Sequence, residues 1–272
     1  MKNNQLVNKV AIVTGTSSGI GRAIAIELSQ KGASVVLASR DKDKITQLES
    51  EIIEAGGKAL VVPTDVTDED QCKNLIAKTV SEFGGLDILV NNAGLSMRAC
   101  FHDVELSVLK RVMDTNFWGT VYCTKYALPH ILESKGVVVG ISSISGVTPL
   151  PGRTGYVASK HALDGFLETL RVENLDNNIQ VLVVHPGFTT SNIRRSALTK
   201  SGSSQIDTPL DELKLMPAEK VAKIVVKGII KRKREINLTV KGKLAIWVSR
   251  AFPSLAERLI YKEMKSEVGA PF

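Results

Sequence analysis

Short apolar runs alternate with amphipathic stretches along most of the chain. The runs are Val10–Val13, Ser34–Ala38, Ala59–Val62, Ile88–Asn91, Val137–Ile141, Gln180–Val184 and Glu235–Leu238. Most are apolar at nearly every position, which is the pattern of strands buried on both faces of a parallel sheet. Between them, Ile20–Lys31, Lys42–Ala55, Glu69–Phe83, Glu105–Leu132, Thr154–Leu175 and Pro217–Ile230 repeat with helical period. This alternation predicts an α/β fold: a doubly wound parallel sheet of about seven strands, helices on both faces and right-handed crossovers. Ligands of such sheets bind beyond the carboxyl ends of the strands.

The sequence places its chemistry at those ends. After the first strand comes Thr14-Gly15-Thr16-Ser17-Ser18-Gly19-Ile20-Gly21, opening a helix. Strand, glycine turn and helix are the context a dinucleotide phosphate needs, because glycine lets the backbone approach and the helix end offers amides. The spacing is G-x-x-x-G-x-G, and a plain strand–helix turn would read the same way. The second strand ends in Ser39-Arg40. An NAD site usually carries an acid there. Serine removes that charge and a guanidinium can clamp a 2′-phosphate, so NADP(H) is expected over NAD(H). Asp41 is expected to cap the helix starting at Lys42.

Tyr156 and Lys160 stand four residues apart on a predicted helix, and so share a face. A nearby ammonium favours phenolate and is expected to pull the tyrosine down from its usual value of about 10. A tyrosine so tuned gives and takes a proton near neutrality. By itself the pair is as readily a chance feature of a helix surface.

Taken together, the chain resembles the short-chain dehydrogenase/reductases, a family with a Rossmann-type sheet. The resemblance rests on the glycine turn, Asn91-Asn92-Ala93-Gly94, Ser143 with Tyr156 and Lys160, and Pro186-Gly187, and covers roughly residues 8–240. Tyr156–Phe166 and Asp114–Thr120 look closest to the steroid- and retinoid-type branch. The resemblance implies strand order 3-2-1-4-5-6-7 and a catalytic set of Asn116, Ser143, Tyr156 and Lys160. In that set Asn116 holds a relay water and Ser143 binds the substrate oxygen. Tyr156 exchanges the proton, while Lys160 acidifies it and holds the nicotinamide ribose. The implied cofactor contacts are Gly15, Ser17, Ser18, Gly19, Ile20, Gly21, Ser39, Arg40, Asp65, Val66, Asn92, Ala93, Gly94, Pro186, Gly187, Thr189 and Ser191, besides Tyr156 and Lys160. Asp65 makes equal sense as plain turn chemistry. The implied activity interconverts a ketone or aldehyde with its alcohol, and the candidate pocket walls named below suggest that this substrate is apolar; an inactive NADP(H)-binding scaffold is the alternative. The implied assembly is a homodimer or homotetramer through 105–132 and 154–175, using the stripe Leu163, Phe166, Leu167, Leu170.

Composition then narrows the setting. The 272 residues suit one catalytic domain, 1–240, with 188–216 as substrate lid and 241–272 as a basic amphipathic extension. Leu95, Ser96, Met97, Ser145, Val147, Leu150 and Phe188 are candidate pocket walls, whereas Arg194 and Arg195 are read as facing solvent. Cys72, Cys100 and Cys123 lack metal spacing and read as reduced thiols, consistent with a cytoplasmic protein. His102, His130, His161 and His185 show no ligand spacing or acidic partner and read as structural. The formal charge is +7, yet residues 217–272 alone carry 13 Lys/Arg against 5 Asp/Glu. A solvated face explains such a surplus, as does an acidic partner or membrane surface. In the tail, Leu244, Trp247, Val248 and Ala251 fall on one helical face, flanked by Lys241, Lys243 and Arg250. Ser254 to Glu257 is expected to act as the capping box of a second helix. Trp, Phe and Leu set against Lys and Arg suit a helix lying on a membrane surface, and equally one packed on the enzyme itself.

Overall fold

The computed structural model describes residues 5–187, 189–190, 192–205, 215–267 and 269–271. Seven parallel strands form one sheet in the order β3-β2-β1-β4-β5-β6-β7, as expected. They are β1 (Val10–Thr14), β2 (Ser34–Ser39), β3 (Lys58–Pro63), β4 (Ile88–Asn91), β5 (Val137–Ile141), β6 (Gln180–His185) and β7 (Glu235–Asn237). Successive side chains point to opposite faces. Val13, Val35 and Leu37 pack with α1 (Gly19–Gln30), α2 (Lys42–Glu54) and α7 (Ala218–Ile230). Ile12, Val36 and Ala38 pack with α3 (Glu69–Phe83), α5 (Gly119–Ser134) and α6 (Thr154–Glu173). Two apolar layers enclose the sheet, each fully buried aliphatic side chain contributing about 1.5–3 kcal/mol.

Helix ends follow local chemistry. Asp41 caps α2 by accepting from Lys44 N, and Asp68 caps α3 by accepting from Gln71 N. Gly84 ends α3 at φ +79°, a left-handed turn in which glycine carries no Cβ penalty.

Three expectations need correction. The stretch 105–132 is not one helix: α4 (Leu106–Met113) passes through a π-helical turn, Asp114–Trp118, into α5. Second, α8 (Val240–Ala251) is followed by α9 (Pro253–Lys265), which starts on Pro253 with Phe252 at the cap position and no side-chain cap bond. The Ser254 capping box is not formed, because proline's fixed φ and missing N–H suit the first helical position one residue earlier. Third, Leu163, Leu167 and Leu170 face the protein's own sheet and are buried in its core, leaving only Phe166 of that stripe partly exposed.

Candidate active site

The glycine turn is built for close approach. Gly15 and Gly19 have φ of +71° and +57°. A Cβ on Gly21 would sit 2.4 Å from the Gly15 oxygen and 2.3 Å from Asn92 Nδ2. The loop after β4 braces this turn. Asn92 N and Ala93 N each donate to Thr14 Oγ1 at 3.0 Å, and Asn92 Nδ2 donates to Thr14 O at 2.9 Å. Ser18 makes no side-chain cap, and Gly19 and Ile20 border a cleft of ≈ 1470 Å³. First-turn amides and the positive end of the α1 dipole therefore face that cleft, which fits a dinucleotide pyrophosphate.

The same cleft runs past Ser39, Arg40, Asp65 and Val66. Asp65 Oδ1 accepts from Thr67 N at 3.0 Å and Thr67 Oγ1 at 2.8 Å, so the turn chemistry is present. Its other oxygen lies 3.9 Å from Arg40 Nη1, whose side chain is mostly exposed. The Lys44 side chain and backbone amide hold the Asp41 carboxyl below the usual range, turned onto its own helix.

At the other end, Ser143, Tyr156 and Lys160 border the cleft together. Ser143 caps a short 3₁₀ turn, its Oγ accepting from Ser145 N at 3.1 Å. Lys160 is buried, and its Nζ donates to Ile141 O at 2.9 Å. Burial pushes this ammonium down to about 8, opposed by the charge of Asp164. The expected lowering of Tyr156 is not met. Burial raises the phenol above its usual value, and a hydrogen bond with Ser143 and the charge of Arg153 only partly oppose this. The reason is geometric: the Lys160 nitrogen is turned to a backbone carbonyl, 5.8 Å from the ring centroid.

Asn116 sits in the π turn and is 1% exposed. Its Nδ2 donates to Leu95 O (2.9 Å) and Ser159 Oγ (2.8 Å), and its Oδ1 accepts from Leu95 N (2.7 Å). It therefore stands behind the cleft wall and fixes the loop that carries Leu95. Gly21 likewise lies behind the wall. Pro186, Gly187 and Thr189 border the cleft after β6, whereas Phe188 and Ser191 lie outside the described residues. Arg194, expected to face solvent, folds back so that both Nη1 and Nη2 donate to Thr189 O at 3.1 Å.

Leu95, Ser96, Ser145 and Leu150 form part of the substrate end. Met97 and Val147 do not, and Met97 is packed with Val108, Val112 and Leu198. Two features were missed in the sequence. Ala245 of α8 and Leu259, Ile260 and Met264 of α9 supply another wall. Their helical pattern was legible, but not what it would pack on. Also, His185 has acidic neighbours: its Nε2 lies 2.9 Å from Asp164 Oδ2 and its Nδ1 lies 3.6 Å from Glu235 Oε1, with the Asn237 amide oxygen 3.0 Å from the same Nδ1. Asp164 follows Lys160 by one helical turn, but its meeting with β6 depends on the crossover.

A parallel sheet with a glycine turn opening a helix and a Ser–Tyr–Lys cluster at its carboxyl edge is the architecture of a dinucleotide-dependent oxidoreductase class. The profile of the short chain dehydrogenase family matches residues 9–202. "11-beta-hydroxysteroid dehydrogenase-like 2" of Arabidopsis thaliana is 40% identical over 69% of this chain, which spans 61% of that protein's length. "11-beta-hydroxysteroid dehydrogenase A" of Sesamum indicum is 32% identical over 95% of this chain and 77% of its own. A short chain dehydrogenase/reductase from Burkholderia phymatum, solved in complex with NAD, superposes with TM-score 0.82 at 23% identity, covering 92% of this chain and 96% of its own. The chain belongs to the short-chain dehydrogenase family, oxidoreductases acting on CH–OH and C=O with NAD(P), in its steroid dehydrogenase-like branch.

Proposed function

We propose that this protein is an NADP(H)-dependent oxidoreductase that interconverts an apolar ketone or aldehyde with its alcohol. The observation carrying this reading is the convergence of Ser143, Tyr156 and Lys160 on the cleft that the glycine turn also borders. When bound, the cofactor supplies or accepts the hydride. Ser143 Oγ holds the substrate oxygen, and Tyr156 Oη gives that oxygen its proton in the reducing direction and takes it back in the oxidising one. Burial keeps Tyr156 in the neutral, proton-bearing form. Lys160, protonated at neutral pH, balances the phenolate that forms and holds the cofactor ribose. Asn116 anchors the Leu95 loop along the relay path. We read 188–216 as the lid of this cleft and 241–272 as an extension of the catalytic domain, although 188, 191, 206–214, 268 and 272 lie outside the described residues. The deciding assay is NADPH oxidation against a panel of ketones, aldehydes and 3-oxoacyl compounds. Tight NADPH binding without turnover on any of them would favour the scaffold reading.

Support for NADP(H) comes from Ser39 and the exposed Arg40 at the cleft edge. Asp65 tempers the Arg40 charge, so the clamp depends on Arg40 turning from Asp65 to a phosphate. Arg40→Ala is expected to weaken NADPH about 10–100-fold, as loss of a charge-assisted pair does, and to leave NADH nearly unchanged. Titration of both cofactors at one ionic strength checks this, and an equal loss for both would remove Arg40 from 2′-phosphate recognition.

The outer face of the tail supports peripheral membrane contact. Leu244, Trp247, Phe252, Leu255 and Tyr261 are about half exposed, with the Trp247 and Phe252 rings 5.8 Å apart. Lys243, Arg250, Arg258 and Lys262 are exposed beside them, while the Lys241 side chain is outside the described residues. No helix among the described residues is long and apolar enough to cross a membrane. Amphipathic aromatic and basic faces of this kind lie in the interface plane. Co-sedimentation with vesicles containing anionic lipid is expected at low salt, weakening as salt rises. It is expected to be lost in a Trp247→Ser, Phe252→Ser variant.

Assembly as a homodimer or homotetramer is supported by apolar side chains left outside the core on the α4–α6 face. Trp118 is 44% exposed, stacks on Tyr122 and meets Phe117, which contacts Phe166 edge-on. Light scattering at micromolar concentration is expected to give at least a dimer, and Trp118→Glu to yield monomer.

A further inference from the structure

The C-terminal segment turns back over the substrate end of the cleft. Among helices and strands, α9 packs chiefly on α8, and its Leu255, Leu259 and Tyr261 stay exposed. Apolar burial alone is thus a thin hold for a helix that forms a cleft wall through Ile260 and Met264. The stronger hold lies just beyond its end. Glu267 Oε1 and Oε2 are each 3.0 Å from Arg153 Nη2, and Oε2 is 3.3 Å from Arg98 Nη2. The side chains of Glu267, Arg153 and Arg98 are 7%, 12% and 12% exposed, so water screens this cluster little.

The two arginines belong to segments that shape the reacting end. Arg153 stands at the cap position of α6, three residues before Tyr156, and its charge reaches the phenol. Arg98 lies in the loop after β4 between Met97, which bridges to Leu198, and Ala99, which bridges to Arg153. In the same loop, Cys100 Sγ donates to Pro271 O at 3.1 Å. One carboxylate thus ties the tail to both the α6 start and the β4 loop, across the mouth that a substrate must pass.

We propose that Glu267 is a latch: paired with Arg98 and Arg153, it holds α9 as a wall of the cleft and so sets the size of carbonyl compound the site accepts. This rests on the oxidoreductase reading of that cleft. Glu267 is a specificity-determining residue in this scheme and touches no reacting atom. Breaking the latch frees α9 and opens the cleft to bulkier compounds, while Tyr156, Ser143 and Lys160 keep their places on α6 and the β5 loop.

The test compares the full chain with its Glu267→Gln, Glu267→Ala and Arg98→Met variants. Trypsin cleavage after Lys262 and Lys265, followed by mass spectrometry, reads release of the tail. Release is expected to raise cleavage about tenfold or more in Glu267→Ala, and less in Glu267→Gln, which keeps the shape. NADPH-dependent turnover of cyclohexanone and of a four-ring ketone reads the cleft. The ratio of kcat/KM for the larger over the smaller is expected to rise about fivefold or more, with kcat for cyclohexanone within about twofold of wild type. Cleavage unchanged in Glu267→Ala and Arg98→Met overturns the latch. Cleavage raised with the ratio unchanged overturns the role in specificity. If wild type turns over neither ketone nor any other member of the carbonyl panel, the oxidoreductase reading falls by itself, the specificity role falls with it, and the trypsin result alone decides the latch.

Discussion

Tyr156→Phe is expected to leave NADPH binding intact and cut turnover by about 10²–10⁴-fold, the usual loss when a general acid is removed. The ring is retained, so the buried packing around it changes little, and only the hydroxyl shared with Ser143 is lost. A fluorescence titration of NADPH beside steady-state kinetics separates the two effects. Retention of more than about a tenth of the wild-type rate would show that another group moves the proton. Because burial raises Tyr156, the phenol stays protonated across neutral pH. An alkaline loss of reductase activity near pH 8 is therefore expected to report Lys160, whose ammonium titrates at about 8. Asp164 opposes that lowering, so Asp164→Asn is expected to move the alkaline limb to lower pH.

Lys160→Met is expected to make the cofactor-free protein more stable while removing its use for NADPH. The lysine titrates near 10.5 in an unfolded chain and at about 8 in the fold, chiefly through burial. Between those values the unfolded chain holds the extra proton. Wild-type stability contributed by this group therefore climbs as pH rises from about 8 to about 10.5, and is lowest below that window. At neutral pH the buried charge costs about 3 kcal/mol. Methionine fills a similar volume without charge, so a gain of about 1–3 kcal/mol and a rise of a few degrees in Tm are expected at pH 7. The gap over wild type should shrink toward pH 10. Calorimetry of both proteins at the two pH values checks this. A lower Tm for the variant would mean that the bond to Ile141 O and the charge of Asp164 outweigh burial. Such a trade of stability for function is common at catalytic sites.

The sheet and most of its helices were legible because buried parallel strands must be apolar at nearly every position. Val137–Ile141 is buried throughout and matches its expected bounds. The glycine turn was legible because few residues other than glycine fit where a Cβ on Gly21 would strike Gly15 O and Asn92. Ser143, by contrast, rested on the family resemblance, and its neighbour Ser142 borders the same cleft. The Ser142 hydroxyl proves to be buried without a hydrogen-bond partner among the described residues.

What pattern could not supply is what each face would meet. The stripe Leu163, Leu167, Leu170 reads identically whether it covers a sheet or a second subunit, and the sheet took it. The π turn at Asn116 has no period of its own, since its side-chain bonds are to Leu95 and Ser159. A Tyr–Lys interval of four sets proximity, while the direction of the ammonium was decided by Ile141 O from strand β5. His185 and Asp164, or Glu267 with Arg98 and Arg153, are far apart in sequence and carry no shared spacing. Sequence by itself determined the elements, their order and the atoms available for chemistry, because periodicity and glycine sterics act locally. Only the tertiary structure decided the charges each group feels and which wall closes the cleft, because burial and ion pairing depend on segments that meet only after the chain crosses over the sheet.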